Sequence, residues 1–199
     1  MTTKSRMSVL AAVASITLGA CAQNSEPAAP AATPTPVAAG PNLMKDLMGD
    51  VEGVEKKMVD LAMAMPEGSM AWTPGAGVRS VKEVVLHVAS DNYLIPSLMG
   101  GAIPPETKIV ATDFATLTAY EKQPIKRDSA VAELKASFAH LKRVMAADSA
   151  ASMSTEVDFF GTKMSRQAAW IGAVTHLHEH LGQSIAYARS NKIVPPWSK

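Results

Sequence analysis

Leu43, Leu47, Val51, Val54, Met58, Leu61 and Met65 recur at steps of three and four residues, and the same period returns in three later segments. Such spacing puts each set on one side of an α-helix, and a helix with one apolar side must bury it against another element. No segment has the sustained alternation of a strand, a glycine-rich phosphate loop or a repeating unit. Four amphipathic helices predict an all-α domain, a four-helix bundle.

The first helix ends before the Pro66-Glu67-Gly68 turn. Ser80-Val81-Lys82-Glu83 is a capping box that starts the second, where hydroxyl and carboxylate each satisfy an orphan backbone amide. Its stripe collects Val84, His87, Val88, Asp91, Ile95 and Leu98, and Pro96 should bend or fray its end before Gly100-Gly101. A proline-rich passage from Ala102 to Pro124 carries a short helix around residues 114–122. The third long helix is expected from a cap at Asp128 or Ser129 to about Ala147, with Val131, Leu134, Phe138, Leu141 and Met145 inward. His140 falls off that stripe and is expected in solvent. Residues 148–164 form a loop or a small extended excursion. Ser165 then caps the fourth helix, which runs to about Ser190, before Pro195-Pro196.

Residues 1–20 read as a signal peptide and not as part of the fold. A basic start, Lys4 and Arg6, precedes an apolar run from Met7 to Ala20 that is short for a membrane span. Leu18-Gly19-Ala20-Cys21 resembles a bacterial lipoprotein signal, which implies cleavage before Cys21 and acylation of its thiol, a lipid anchor in the cell envelope. The alternative is an ordinary cleavage site that releases a secreted soluble protein. Cys21 is the only cysteine, so disulfides, thiolate ligands and a cysteine nucleophile are excluded elsewhere. Residues 21–41, rich in Ala and Pro, predict a disordered tether, which leaves residues 42–199 as the folded domain. From Cys21 onward 17 bases stand against 18 acids, so charge offers no basis for nucleic-acid binding.

His176 and His180 stand four apart in the fourth helix and share one face, a metal-ligand spacing. His87 lies in the middle of the second helix's buried stripe. Three inward imidazoles from two helices suit a divalent first-row ion such as Zn, Ni, Cu or Fe and leave a coordination position open. His178 points away from the pair. Asp91, one turn after His87, is a candidate fourth ligand, an orienting partner or a general base; it can equally be a helix-face carboxylate bonded to a neighbouring helix. A zinc-protease motif is excluded, because Gly182 and not histidine stands four residues after His178. Tyr187 is a candidate to hydrogen-bond a ligand in the pocket, although such a tyrosine is more often core with its hydroxyl at the rim. The twelve methionines do not cluster near the histidines, and nothing marks Ser184 as a nucleophile.

The segment Ser80–Gly100 with its inward His87, His176-x-x-x-His180-Leu181-Gly182-Gln183, Tyr187-Ala188-Arg189 and the closing Val194-Pro195-Pro196-Trp197 together resemble the DinB superfamily of damage-inducible and thiol-transferase-like proteins. Leu181 departs from the pattern, in which arginine commonly precedes Gly-Gln. The resemblance implies an up-down-down-up four-helix bundle, a zinc or nickel site on His87, His176 and His180, and homodimers in many members. It also implies a small-molecule substrate: characterised relatives include transferases and isomerases that use low-molecular-weight thiols. The signal peptide argues against simple transfer of that role, since such thiols are scarce outside the cell. The expectation is an extracytoplasmic metal-dependent hydrolase or transferase acting on a small electrophile through the three-histidine site, with Asp91 as the candidate catalytic residue, the alternative being a non-catalytic metal-binding or stress-related interaction protein.

Overall fold

The computed structural model describes residues 42–198. The expected signal peptide, the Cys21 anchor and the tether lie outside the described residues. The described chain forms α1 (Leu43–Ala64), α2 (Val81–Ser97), α3 (Phe114–Glu121), α4 (Arg127–Ala147), the hairpin β1 (Glu156–Phe159) and β2 (Thr162–Ser165), and α5 (Arg166–Ser190). Among these helices none is long and apolar enough to cross a membrane.

The long helices begin and end close to where local chemistry predicts. Asn42 caps α1 by accepting from the Lys45 amide, and both halves of the Ser80–Glu83 capping box form at α2. Ser165 caps α5 by accepting from the Ala168 amide. Pro96 sits in the last turn of α2, which stops one residue later. Gly101 follows because its backbone runs against α4: a Cβ there would meet Pro96 O and the Val144 methyls at 3.0 Å.

Helix α4 starts earlier than expected and without a side-chain cap. Its first residue is Arg127, and the Arg127 amide is satisfied by Glu67 Oε2 from the α1–α2 connection at 2.9 Å, so neither Asp128 nor Ser129 is needed as a cap. The expected extended excursion is an antiparallel hairpin that runs to Ser165, one residue beyond the expected segment, with Phe159 paired to Thr162 across a two-residue turn.

Helices α1 and α2 each pack on both α4 and α5, while α3 lies against α2. Helix α2 is the most enclosed, with twelve of its seventeen residues buried. Trp170, Phe138, Leu86, Leu94 and Leu134 fill the middle, each removed from water almost completely. Full burial of side chains of this size contributes about 1.5–3 kcal/mol apiece. One polar link crosses this core: Asn92 Nδ2 donates to Ser137 Oγ at 3.1 Å, and Ser137 donates on to Leu134 O at 2.7 Å.

His140 contradicts its expected exposure, being only 2% accessible. Helix α4 presents two adjacent faces, and α2 covers the one that bears Ser137 and His140. Tyr93 of α2 lies over the imidazole at 5.2 Å, and Arg143 Nη2 donates to its Nδ1 at 2.8 Å. Burial, reinforced by the neighbouring Arg143 charge, holds the His140 pKa below its ordinary value. The ring is therefore a neutral packing element, and its Nε2 has no partner in the core.

Candidate metal centre

Helix α2 contributes His87 and Asp91, one turn apart, and α5 contributes His176 and His180, one turn apart on the facing side. Small buried side chains, Ala169 and Ala173, continue the face of α5 that bears the histidines. The three rings converge. Their centroids are 4.4 Å (His176–His180), 4.6 Å (His87–His180) and 5.6 Å (His87–His176) apart, with planes close to perpendicular. One nitrogen from each ring lies within 4.8 Å of the other two.

Partners on the outer side of two rings decide which nitrogen is left. His87 Nδ1 lies 2.8 Å from Glu121 Oε1, and a carboxylate can only accept, so the proton sits on Nδ1 and Nε2 is directed inward. Glu121 is itself held by Arg79, whose Nε and Nη2 donate to its two oxygens at 2.7 and 3.1 Å. Burial pushes the Glu121 pKa up, but the hydrogen bonds from His87 and Arg79 outweigh it and hold the carboxyl below its usual range. Arg79 is raised in turn, chiefly by its bond to Glu121.

His180 Nδ1 donates to Gln183 Oε1 at 2.8 Å, Gln183 Nε2 donates to Tyr187 Oη at 3.0 Å, and Tyr187 donates to the Arg79 carbonyl at 3.1 Å. Burial lowers the His180 pKa, and the adjacent His176 and His87 add to the shift against the Gln183 bond, so the ring is neutral at pH 7 with Nε2 available. Tyr187, a candidate for ligand contact, is instead occupied in this chain of bonds.

Asp91 stands between the helices. Its Oδ2 lies 2.7 Å from His176 Nε2 and 3.2 Å from His87 Nε2, so it links α2 to α5 beside the histidines. His178 is exposed and bonds Asp50 at 2.9 Å, away from the triad as expected. Glu179, at the edge of the face, reaches only within 3.8 Å of His176 Nδ1.

The donor set fits a transition metal. Three imidazole nitrogens and one carboxylate oxygen are directed into one small volume, two of the imidazoles with their tautomer fixed by an outer acceptor, the arrangement that zinc and nickel sites use. Glu121, Arg79 and the role of Gln183 were not legible in the sequence. Glu121 ends the short α3 and meets His87 only through folding, and a lone carboxylate in a connector carries no periodic signal. Replacing Glu121 with Gln keeps an acceptor for His87 but removes the charge and Arg79's partner. Zinc affinity, measured in competition with a chromophoric chelator, is expected to fall about 10–100-fold.

A cleft of ≈ 240 Å³ opens beside His176 and Asp91, bounded by Ile95, Phe159, Phe160, Gly172, Thr175 and Glu179. The cleft thus gives access to His176 and Asp91.

The DinB superfamily model matches residues 51–184. Three solved bundles share the fold at 15% identity. A DinB-like protein from Bacillus cereus has a TM-score of 0.61 over 77% of this chain and 93% of its own. A conserved protein from Enterococcus faecalis gives 0.62 over 75% and 97%, and a DinB-like protein from Bacillus subtilis 0.57 over 75% and 93%. No curated protein matches the sequence. With the superfamily model running from the middle of α1 to the later turns of α5 on a shared bundle, this chain belongs to the DinB superfamily.

Proposed function

We propose that the protein is an extracytoplasmic metal-dependent enzyme, a hydrolase or transferase acting on a small electrophilic substrate, anchored through a lipid on Cys21. The observation that carries this reading is the convergence of His87, His176 and His180, one nitrogen from each within 4.8 Å of the others. A zinc or nickel ion held by these three residues supplies a Lewis acid that polarises a substrate carbonyl or acidifies an attacking water, hydroxyl or thiol. The protein's own groups divide the remaining work. Glu121 and Gln183 fix ring orientation from outside, while Asp91 is placed to take a proton from an attacking group or to complete the ligand set. Envelope location rests on Lys4, Arg6, the apolar run to Ala20 and the Leu-Gly-Ala-Cys sequence.

A non-catalytic metal-binding protein remains the rival. It calls for a centre closed to small molecules, whereas the cleft reaches both His176 and Asp91. Titration of the metal-free protein with zinc and with nickel should show one tightly held equivalent. Activity is then sought against small esters, amides and epoxides, with and without added thiol. No uptake of either ion removes the metal and the enzyme together; uptake with no turnover of any class leaves the binding protein.

A further inference from the structure

The cleft beside the triad has a composition that metal binding alone does not require. Its outer wall is the tip of the β1–β2 hairpin. Phe160 and Gly161 make the two-residue turn with φ of 53° and 86°, the positive values that a type I′ turn needs at both positions. Asn, Asp or Gly ordinarily occupies the first of these, and a phenylalanine there holds an unfavourable backbone conformation. Asp158 Oδ1 accepts from the Gly161 amide at 2.7 Å and pins the turn. The result is a phenyl ring 48% exposed at the mouth of the cleft, edge-on to Phe159 at 4.9 Å. The ring also neighbours Phe114 at 6.3 Å, and the strained turn holds its uncovered half toward the cleft.

The floor is bare. Gly172 lies one turn before His176 on the same face of α5, where glycine weakens a helix. A Cβ at this position would find only the Phe159 ring, at 3.9 Å, so the missing side chain leaves open space and not a tight helix crossing. Ile95 closes the far side. Apart from His176, the ionisable groups lining the cleft are the acids Asp91 and Glu179; no lysine or arginine faces it. Its volume is below that of sites for drug-sized ligands and suits a compound with a single ring.

We propose that the cleft selects an uncharged or cationic aromatic substrate, its ring held between Phe159, Phe160 and the bare surface at Gly172 and its reacting group directed at His176 and Asp91. The proposal rests on the metal-dependent reading above. Offset or edge-to-face contact with the two phenylalanines recognises the ring, and the same faces attract a cation. Asp91 and Glu179 disfavour substrates that carry a carboxylate or phosphate beside the ring.

The test uses the cobalt-loaded protein and three azole probes: 4-methylimidazole, 4-phenylimidazole and 4-(imidazol-4-yl)benzoate. Binding is read from the visible cobalt spectrum, without turnover. The phenyl compound is expected to bind about tenfold more tightly than the methyl compound, from apolar area buried. The benzoate should lose that gain. Gly172→Leu should abolish the phenyl preference with cobalt content unchanged, and Phe160→Ala should reduce it. Equal affinity for methyl and phenyl probes, preference for the benzoate, or a phenyl preference that survives Gly172→Leu overturns the proposal. Failure to take up cobalt overturns the metal reading and this proposal together, whereas cobalt uptake without ring preference overturns this proposal alone.

Discussion

Replacing His180 with Ala is expected to abolish stoichiometric zinc binding, a loss well beyond the ~10–100-fold that follows removal of an outer partner. His180 supplies one of three nitrogens and is the ring nearest to both others, its centroid 4.6 Å from His87 and 4.4 Å from His176. Without it, the imidazoles of His87 and His176 and the Asp91 carboxylate remain, split between α2 and α5. The consequence extends to thermal stability. An ion that binds only the folded state at a thousand times its dissociation constant adds about 4 kcal/mol, or roughly 10 °C in Tm for a domain of this size. Zinc should therefore raise the melting temperature of the natural protein and leave that of His180→Ala where it was. Calorimetric scans with and without zinc check this, and an equal rise in both proteins would place the ion elsewhere. The fold should tolerate the change, since the ring is only partly buried and the surrounding core, led by Leu177 and Leu181, is untouched.

Asp148→Ala is expected to lower stability by about 3–5 kcal/mol, the cost of breaking a buried charged network by removing one member. Asp148 is the cap residue that ends α4, and its carboxylate gathers the segment that follows. Trp170 Nε1 donates to it at 2.7 Å, Arg166 Nη1 at 3.2 Å, the Ser149 amide at 3.0 Å, and the Ser152 hydroxyl also donates. Truncation would leave the indole N–H of a fully buried Trp170 without an acceptor and free the start of α5 from the end of α4. Urea titration monitored by tryptophan fluorescence measures the loss; a change under 1 kcal/mol would show the network to be dispensable. Acid should reproduce part of the effect. Burial raises the Asp148 pKa, but the bonds from Ser152, Trp170 and Arg166 overcome it and the folded value lies below the ordinary one. Its contribution is therefore complete above the unfolded value, near pH 4, and is lost as pH falls through the folded pKa. Asp148→Ala should lack that part of the acid dependence.

What was legible in the sequence follows from how far each contact reaches along the chain. The helices could be read because their determinants are local: the Ser80–Glu83 box and the Ser165 cap form as written. The histidines were legible because His176 and His180 share a helix face by geometry and His87 sits within a continuous apolar stripe. Asp91 followed from its one-turn spacing. His140 was misplaced because a stripe of apolar residues marks only part of a helix that is covered from two sides; Ser137 and His140 belong to the arc under α2. The start of α4 was misplaced because its first amide finds a partner sixty residues earlier, in Glu67. Glu121 and the hairpin phenylalanines were invisible for the same reason. Their meaning arises only once α3 and the β1–β2 hairpin are brought against α2 and α5.

Arg79 gives the short segment ahead of α2 an unusual standing. Its guanidinium secures the arm that ends at His87, and its carbonyl secures the arm that ends at His180. Two of the three rings are thus steadied by one residue outside every long helix. Linkage is reciprocal. An ion that tightens those rings would also quieten the α1–α2 connection, and any event that loosens this connection would weaken the ion's affinity by the same factor. Amide exchange in residues 66–80 and metal affinity are therefore two readouts of a single equilibrium.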